Sequence, residues 1–163
     1  MNFLVNLQKY TLIISSLLIV IGLFLAVLLR YVFEIDLFGI TELLLIPTFL
    51  LYFIGGAHGS YEKSHITADI VGAYVKIESF KNWVTVFTSL VTLIVCIIIT
   101  KWTFDYVIWS FDNGGKTPGW KIPYYIPHGT VLIGFILMTF YTIINLIREF
   151  SVAIKGTSKR EEY

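Results

Sequence analysis

The sequence predicts an all-α membrane protein with four transmembrane helices and short interfacial amphipathic helices. Hydrophobic residues make up 56% of the 163 residues and charged residues only 14%, and the mean hydropathy is +0.78. A soluble domain of this size buries only about 70% of its chain surface, so it could not hide this many apolar side chains. Four apolar stretches reach the roughly 20 residues that cross a bilayer core. They must be helical, because an open sheet would leave backbone groups unpaired in lipid.

The four spans belong to one membrane domain, residues 1–163. The predicted spans are, in chain order, about residues 10–29, 42–61, 83–108 and 124–147. The first is interpreted as a retained helix, because its apolar run is longer than that of a secretory signal and no small-residue cleavage site follows at Arg30 and Tyr31. The third continues to Trp109 and would then measure about 40 Å, so it must tilt or project from a core of about 30 Å.

The distribution of basic residues predicts that both termini are cytoplasmic. One side of the membrane would carry Lys9, Lys63, Lys76, Lys81, Arg148, Lys155, Lys159 and Arg160. The other side would carry Arg30, Lys101, Lys116 and Lys121. Short loops that are rich in lysine and arginine stay in the cytoplasm, which favours the N-in/C-in orientation.

Two segments have the pattern of interfacial helices. In residues 70–81, apolar and charged side chains alternate at helical spacing, and Asp69 is a plausible N-cap. A shorter amphipathic segment, Phe3 to Tyr10, precedes the first span. Both are predicted to lie on the membrane surface.

Ionisable residues beside the spans are the first candidates for function in a membrane protein. Arg30 ends the first span and Glu42 begins the second, so the two could form an ion pair that orients this surface for a partner. The alternative is a snorkelling arginine and an ordinary first-turn glutamate. Lys101 and Asp105 are four residues apart on one helical face and could neutralise each other. They would either mark a docking surface or, as we favour, snorkel to the interface.

Small and hydroxylated residues in the spans favour helix packing. Gly55 and Gly59 form a G-x-x-x-G step, which permits close approach of a second helix but is common in membrane helices. The hydroxyls in the spans are Ser15, Ser16, Thr85, Thr88, Ser89 and Thr92. They could line a path, but hydrogen bonding between helices is the favoured interpretation. No carboxylate lies in the middle of a predicted span, so the chain is poorly equipped to transport a solute by itself.

Cofactor, metal and enzyme functions have no supporting constellation. His58 and His128 are predicted at opposite ends of the spans, and therefore cannot share a haem iron. The single cysteine, Cys96, excludes an intrachain disulfide and a thiol oxidoreductase. The net charge of +1 gives no indication of nucleic-acid binding. We therefore predict neither a cofactor nor catalysis.

Several short motifs together resemble the small membrane subunit of TRAP (tripartite ATP-independent periplasmic) transporters, of the DctQ/SiaQ type. The matching stretches are residues 29–33, 42–43, 55–57, 64–71, 117–118 and 122–123. His65 and Asp69 occupy the His-Ile-x-x-Asp pattern of the family's second loop. One departure is Ser64, where the family often has glycine, and it weakens any argument for a tight turn there.

The resemblance implies a partner protein of a bacterial inner (cytoplasmic) membrane. In this family a periplasmic binding protein captures an organic acid, and a large membrane subunit moves it with sodium. The small subunit would support the large one and help to dock the binding protein, in contact with membrane lipids. A sialic acid or a C4-dicarboxylate is the expected type of substrate. The interface candidates are Arg30, Glu42, Gly55, Gly59, His65, Asp69, Lys101 and Asp105.

An alternative from another class is a stand-alone channel or carrier formed by homo-oligomerisation. The Gly55-x-x-x-Gly59 step would then serve a symmetric contact between copies of the chain. Such a protein would need neither a large polytopic partner nor a secreted binding protein.

Overall fold

The described part of the protein consists of four long helices. The computed structural model describes residues 2–35, 39–62 and 78–158. The helices are α1 (Asn2–Val32), α2 (Ile40–Glu62), α3 (Glu78–Asn113) and α4 (Tyr125–Ser158). Each contains a stretch that is long and apolar enough to cross a membrane, which confirms the predicted four-helix membrane fold. Within the described ranges there is no strand, and the only β-type pairing is one isolated bridge between Lys116 and Pro123.

The helices pack in the order α1, α2, α4, α3. The main contacts are those of α1 with α2, of α2 with α4, and of α4 with α3. In the most apolar 18-residue stretch of the inner helix α4, 22% of the residues are buried. In the same stretch of the outermost helices α1 and α3, only 6% of the residues are buried. Most apolar side chains of the outer helices therefore face the surroundings of the chain, as expected for a bilayer or for another membrane subunit.

Glycines permit the closest approaches between neighbouring helices. A Cβ on Gly134 of α4 would lie 2.5 Å from the Cβ and 2.9 Å from the carbonyl oxygen of Phe53 on α2. A Cβ on Gly22 of α1 would lie 2.5 Å from Leu44 of α2. Without a hydrophobic driving force between helices in lipid, such close packing is the main source of helix association.

Helices that are consecutive along the chain run in opposite directions, so the bundle has two ends. We call the end with the starts of α1 and α3 and the ends of α2 and α4 the terminal end. The other end, with residues 33–35, Gly39 and the loop 114–124, is the loop end. At the loop end α1 stops before Glu34, whose φ is +55°, and the amide of Ile35 returns to the Leu29 carbonyl at 3.0 Å.

The helices differ from the predicted segments near the termini of the spans. Residues Phe3 to Tyr10 do not form a separate interfacial helix, because α1 is continuous from Asn2 and no glycine or proline interrupts it. In the predicted helix 70–81, residues 70–77 lie outside the described residues, and residues 78–81 form the first turn of α3.

Candidate functional site

At the loop end, the carboxylate of Glu42 holds the loop 114–124 against the start of α2. Its Oε1 accepts a hydrogen bond from the Gly119 amide and its Oε2 one from the Trp120 amide, both at 2.9 Å. The Thr117 side chain also bonds to this carboxylate. Bonds from amides to an ionised acceptor are stronger than those between neutral groups. One side chain of α2 thereby fixes the position of the loop between α3 and α4.

The loop is further ordered by its own backbone. The Thr117 amide donates to the Ile122 carbonyl at 2.9 Å, and the Ile122 amide donates to Thr117 Oγ1 at 3.0 Å. The Tyr124 amide donates to the Gly115 carbonyl at 3.0 Å. Lys121 closes this turn with a φ of +54°, a conformation that non-glycine residues seldom adopt. The loop is therefore a defined structure and not merely a connection.

Trp120 of this loop packs against Gly39, the residue just before α2. Gly39 has a φ of +82°, and a Cβ there would lie 2.7 Å from Trp120 Cδ1, so both backbone and space require glycine. Trp120 nevertheless remains 56% exposed, and Lys116 and Lys121 of the same loop are exposed too. The loop 114–124 thus presents one aromatic ring and two cations at the loop end.

The predicted ion pair between Arg30 and Glu42 is not formed. Arg30 is exposed near the end of α1, and no charged pair between these two described residues lies within 4 Å. The physical reason is that backbone amides of the loop 114–124 already occupy both oxygens of Glu42. The sequence could not reveal this, since residues 42 and 119 are far apart along the chain.

Lys101 and Asp105 lie in α3, and both are exposed. These two described residues also form no ion pair within 4 Å. Whether they mark a docking surface stays a prediction. His65 and Asp69 lie outside the described residues.

The two glycines of the G-x-x-x-G step lie in the last two turns of α2 and are half-buried. A Cβ on Gly55 would lie 3.6 Å from Leu12 of α1, so Gly55 faces a helix of the same chain. Gly56, between them, faces Met138 of α4. This end of α2 therefore already packs on both sides within one chain.

A polar network at the terminal end joins three helices. Gln8 of α1 is 4% exposed and donates to the hydroxyl of Tyr141 on α4 at 3.1 Å. Its Oε1 lies 3.4 Å from His58 Nδ1 on α2, and His58 Nε2 lies 3.3 Å from Glu62 Oε1. Both contacts of His58 are made together when both ring nitrogens carry hydrogen. In a membrane protein, such bonds add to close packing in holding helices together.

Sequence reasoning missed this network. It did favour hydrogen bonding between helices for Ser89, and this is confirmed, because the hydroxyl of Ser89 on α3 donates to the carboxylate of Glu149 on α4. The sequence offered a weak signal, because Gln8 and Glu149 are polar residues within or beside long apolar helices. The identity of their partners depends on how the helices pack.

The second histidine of the described residues, His128, lies at the loop end, away from this network. His128 Nδ1 is 3.3 Å from the hydroxyl of Ser110, and its ring lies between those of Tyr106 and Tyr124. These residues line part of a cavity of about 350 Å³ between α3 and α4. Across the described ranges, no group of three or more histidine, cysteine or acidic residues is placed to hold a metal ion.

Comparison with known proteins identifies the family of this chain. No curated protein matches the sequence. A family model matches residues 19–152, and its description is that of tripartite ATP-independent periplasmic transporters, DctQ component. The match spans most of the 163 residues, including α2, α3 and the loop 114–124. The four apolar helices and this match together make the chain a multi-pass membrane protein that belongs to the DctQ family, the small subunit of TRAP transporters.

Proposed function

We propose that this subunit is a scaffold for a sodium-coupled TRAP transporter that imports an organic acid across the bacterial inner membrane. In this proposal, the large membrane subunit carries the solute and sodium, and the present chain supports its stationary part. A sialic acid or a C4-dicarboxylate remains the type of substrate we favour. Both termini are proposed to be cytoplasmic, with the loop end facing the periplasm.

The observation that carries this proposal is the exposure of α1 and α3. These helices form the two edges of the row. Only 6% of the residues in the most apolar stretch of each are buried, so each helix offers a long apolar face. Such a face packs against another membrane subunit through small residues and close contacts, with lipids covering the rest. Contacts within the chain fix the order of the helices. Such a row is well suited to hold a partner subunit at a constant depth in the membrane.

The loop end supports the second part of the proposal, which is docking of the periplasmic binding protein. Glu42 fixes a loop that carries three exposed residues, Trp120, Lys116 and Lys121. Aromatic residues are enriched at protein interfaces, and cations accelerate association with an acidic surface. Arg30 and the end of α3 with Lys101 and Asp105 would extend this landing surface.

The test is sodium-driven uptake in proteoliposomes that contain the large subunit and the binding protein, with and without this chain. The scaffold proposal expects uptake only with all three proteins, and no flux through this chain alone. Flux through the chain alone would instead support the homo-oligomeric channel or carrier. Uptake that is complete without this chain would contradict the scaffold role.

Docking has a separate test. Charge reversal at Lys116 and Lys121 should weaken binding of the binding protein to the membrane complex, and the weakening should disappear at high salt. Reversal at Lys9, at the terminal end, is the matched control and should leave binding unchanged. Equal effects of both reversals would contradict docking at the loop end.

A further inference from the structure

A polar cavity opens at the terminal end between α2 and α4. Its volume is about 200 Å³, and its lining consists of Tyr61, Tyr141, Ile144, Asn145 and Arg148. Four of these five residues carry hydrogen-bond donors, and one carries a permanent positive charge. The cavity lies at the end of α2, beside the point where the apolar run of α4 stops at Arg148, which is the depth of phospholipid headgroups if these helices span the bilayer.

Several donors of this lining are left over after internal hydrogen bonds. Asn145 uses one amide hydrogen on the Ser60 carbonyl at 2.9 Å, which leaves its second hydrogen. The Tyr141 hydroxyl accepts from Gln8, so its own hydrogen remains to be donated. Within the described part of the chain, the Tyr61 hydroxyl and the Arg148 guanidinium have no hydrogen-bond or ion-pair partner.

The nearest described carboxylates in sequence are engaged elsewhere. Glu149 follows Arg148 on α4, but its carboxylate accepts a hydrogen bond from Ser89 on α3, on another side of the helix. Glu62 follows Tyr61 on α2, but its carboxylate lies against His58. Neither forms an ion pair with Arg148 within 4 Å. Arg148 therefore faces the cavity together with unused hydrogen-bond donors, and neither Glu62 nor Glu149 is among the residues that line it.

We propose that this cavity binds the phosphate of a phospholipid headgroup, with Arg148 as its principal ligand. A guanidinium matches phosphate oxygens with two parallel hydrogen bonds, and tyrosine and asparagine donors suit the remaining oxygens. Basic pockets between transmembrane helices are established as headgroup sites. A net anionic lipid is favoured over a zwitterionic one because the described lining contains no acidic residue. The proposal depends on the membrane location and not on the transport role.

The test measures lipid retained by the full-length chain in detergent, using native mass spectrometry. The probes are phosphatidylglycerol, diacylglycerol with the same acyl chains, and inorganic phosphate. We expect one phosphatidylglycerol adduct, no diacylglycerol adduct, and an affinity about tenfold lower in Arg148→Gln, as for loss of a charged hydrogen bond. Arg30→Gln removes an exposed arginine at the opposite end and should leave lipid retention unchanged.

Two further variants keep the proposal testable if Arg148→Gln does not fold. Tyr61→Phe should weaken retention severalfold, and Arg148→Lys should retain the lipid better than Arg148→Gln because the charge remains.

Equal retention by Arg148→Gln and Arg30→Gln would overturn the proposal. Equal retention of diacylglycerol would mean that the acyl chains alone bind. Stabilisation by inorganic phosphate without a lipid adduct would assign the site to a free anion, and no adduct at all would point to a protein carboxylate as the partner of Arg148.

Discussion

The carboxylate of Glu42 at the start of α2 accepts the backbone amide of Trp120 at 2.9 Å, 78 residues further along the chain. Through this bond and the one from Gly119, a residue of the second helix determines where the loop between the third and fourth helices lies. Trp120 is held by its backbone, so its side chain remains available at the surface. Glu42, for which an ion pair with Arg30 was one of two alternatives, thus orders the proposed landing surface.

Replacement of Glu42 by glutamine should loosen the loop 114–124 without unfolding the helices. The amide cannot accept two backbone hydrogen bonds with the strength of an ionised carboxylate. Hydrogen exchange at Gly119 and Trp120 should therefore accelerate several-fold, while exchange in the middle of α4 stays unchanged. Glu34→Gln is the control, because Glu34 is exposed at the same end. If both variants exchange alike, the Glu42 contacts do not order the loop.

The bond between Gln8 and Tyr141 should contribute to the stability of the bundle. Gln8→Ala and Tyr141→Phe should each lower the free energy of unfolding, and a double-mutant cycle should give a coupling of about 0.6 kcal/mol, with about 1.7 kcal/mol as an upper bound. The measurement is equilibrium unfolding in mixed micelles. Ser16→Ala, on the exposed side of α1, should be near neutral. A coupling of zero would mean that the bond is replaced by water or lipid contacts.

Gly134→Ala should separate α2 from α4. The added methyl group would meet the Cβ and the backbone of Phe53 at 2.5–3.0 Å, and backbone cannot move aside as a flexible side chain does. Overpacking of this kind destabilises by about 1–3 kcal/mol. Gly129→Ala is a control on the same helix, because no atom lies within 4 Å of its added methyl group. Alanine there should be neutral or stabilising, by up to about 1 kcal/mol. Equal stability of the two variants in unfolding experiments would contradict the close approach at Gly134.

The proposed orientation can be measured by labelling single cysteines in intact cells. Cys96 is the only cysteine of the chain, so Cys96→Ser provides a background without thiols. With Lys116→Cys, a membrane-impermeant thiol reagent should label the protein directly from the periplasm. With Lys9→Cys, labelling should require permeabilisation of the inner membrane. The reverse pattern would place both termini in the periplasm.

The sequence alone determined the fold class, because hydropathy over about 20 residues is a local property that any membrane helix must satisfy. It also determined the family, since motifs at residues 29–71 and 117–123 occur in a set order, and the family match now confirms this. It did not determine that Phe3 to Tyr10 would join α1. Amphipathic periodicity is the same for an interfacial helix and for the first turns of a long one, and the unbroken α1 and the packing of Gln8 against α4 distinguish them.

The tertiary structure decided which polar groups meet. Arg30 and Glu42 are close in sequence and opposite in charge, yet Glu42 is bound by amides of a distant loop, because backbone donors in a fixed turn need no side-chain ordering to form the bond. Likewise, the row order α1, α2, α4, α3 places Gln8 beside Tyr141 and leaves the Arg148 cavity between α2 and α4. Local sequence specifies where each helix lies along the chain, whereas the partners of its polar residues depend on contacts between helices that are far apart in sequence.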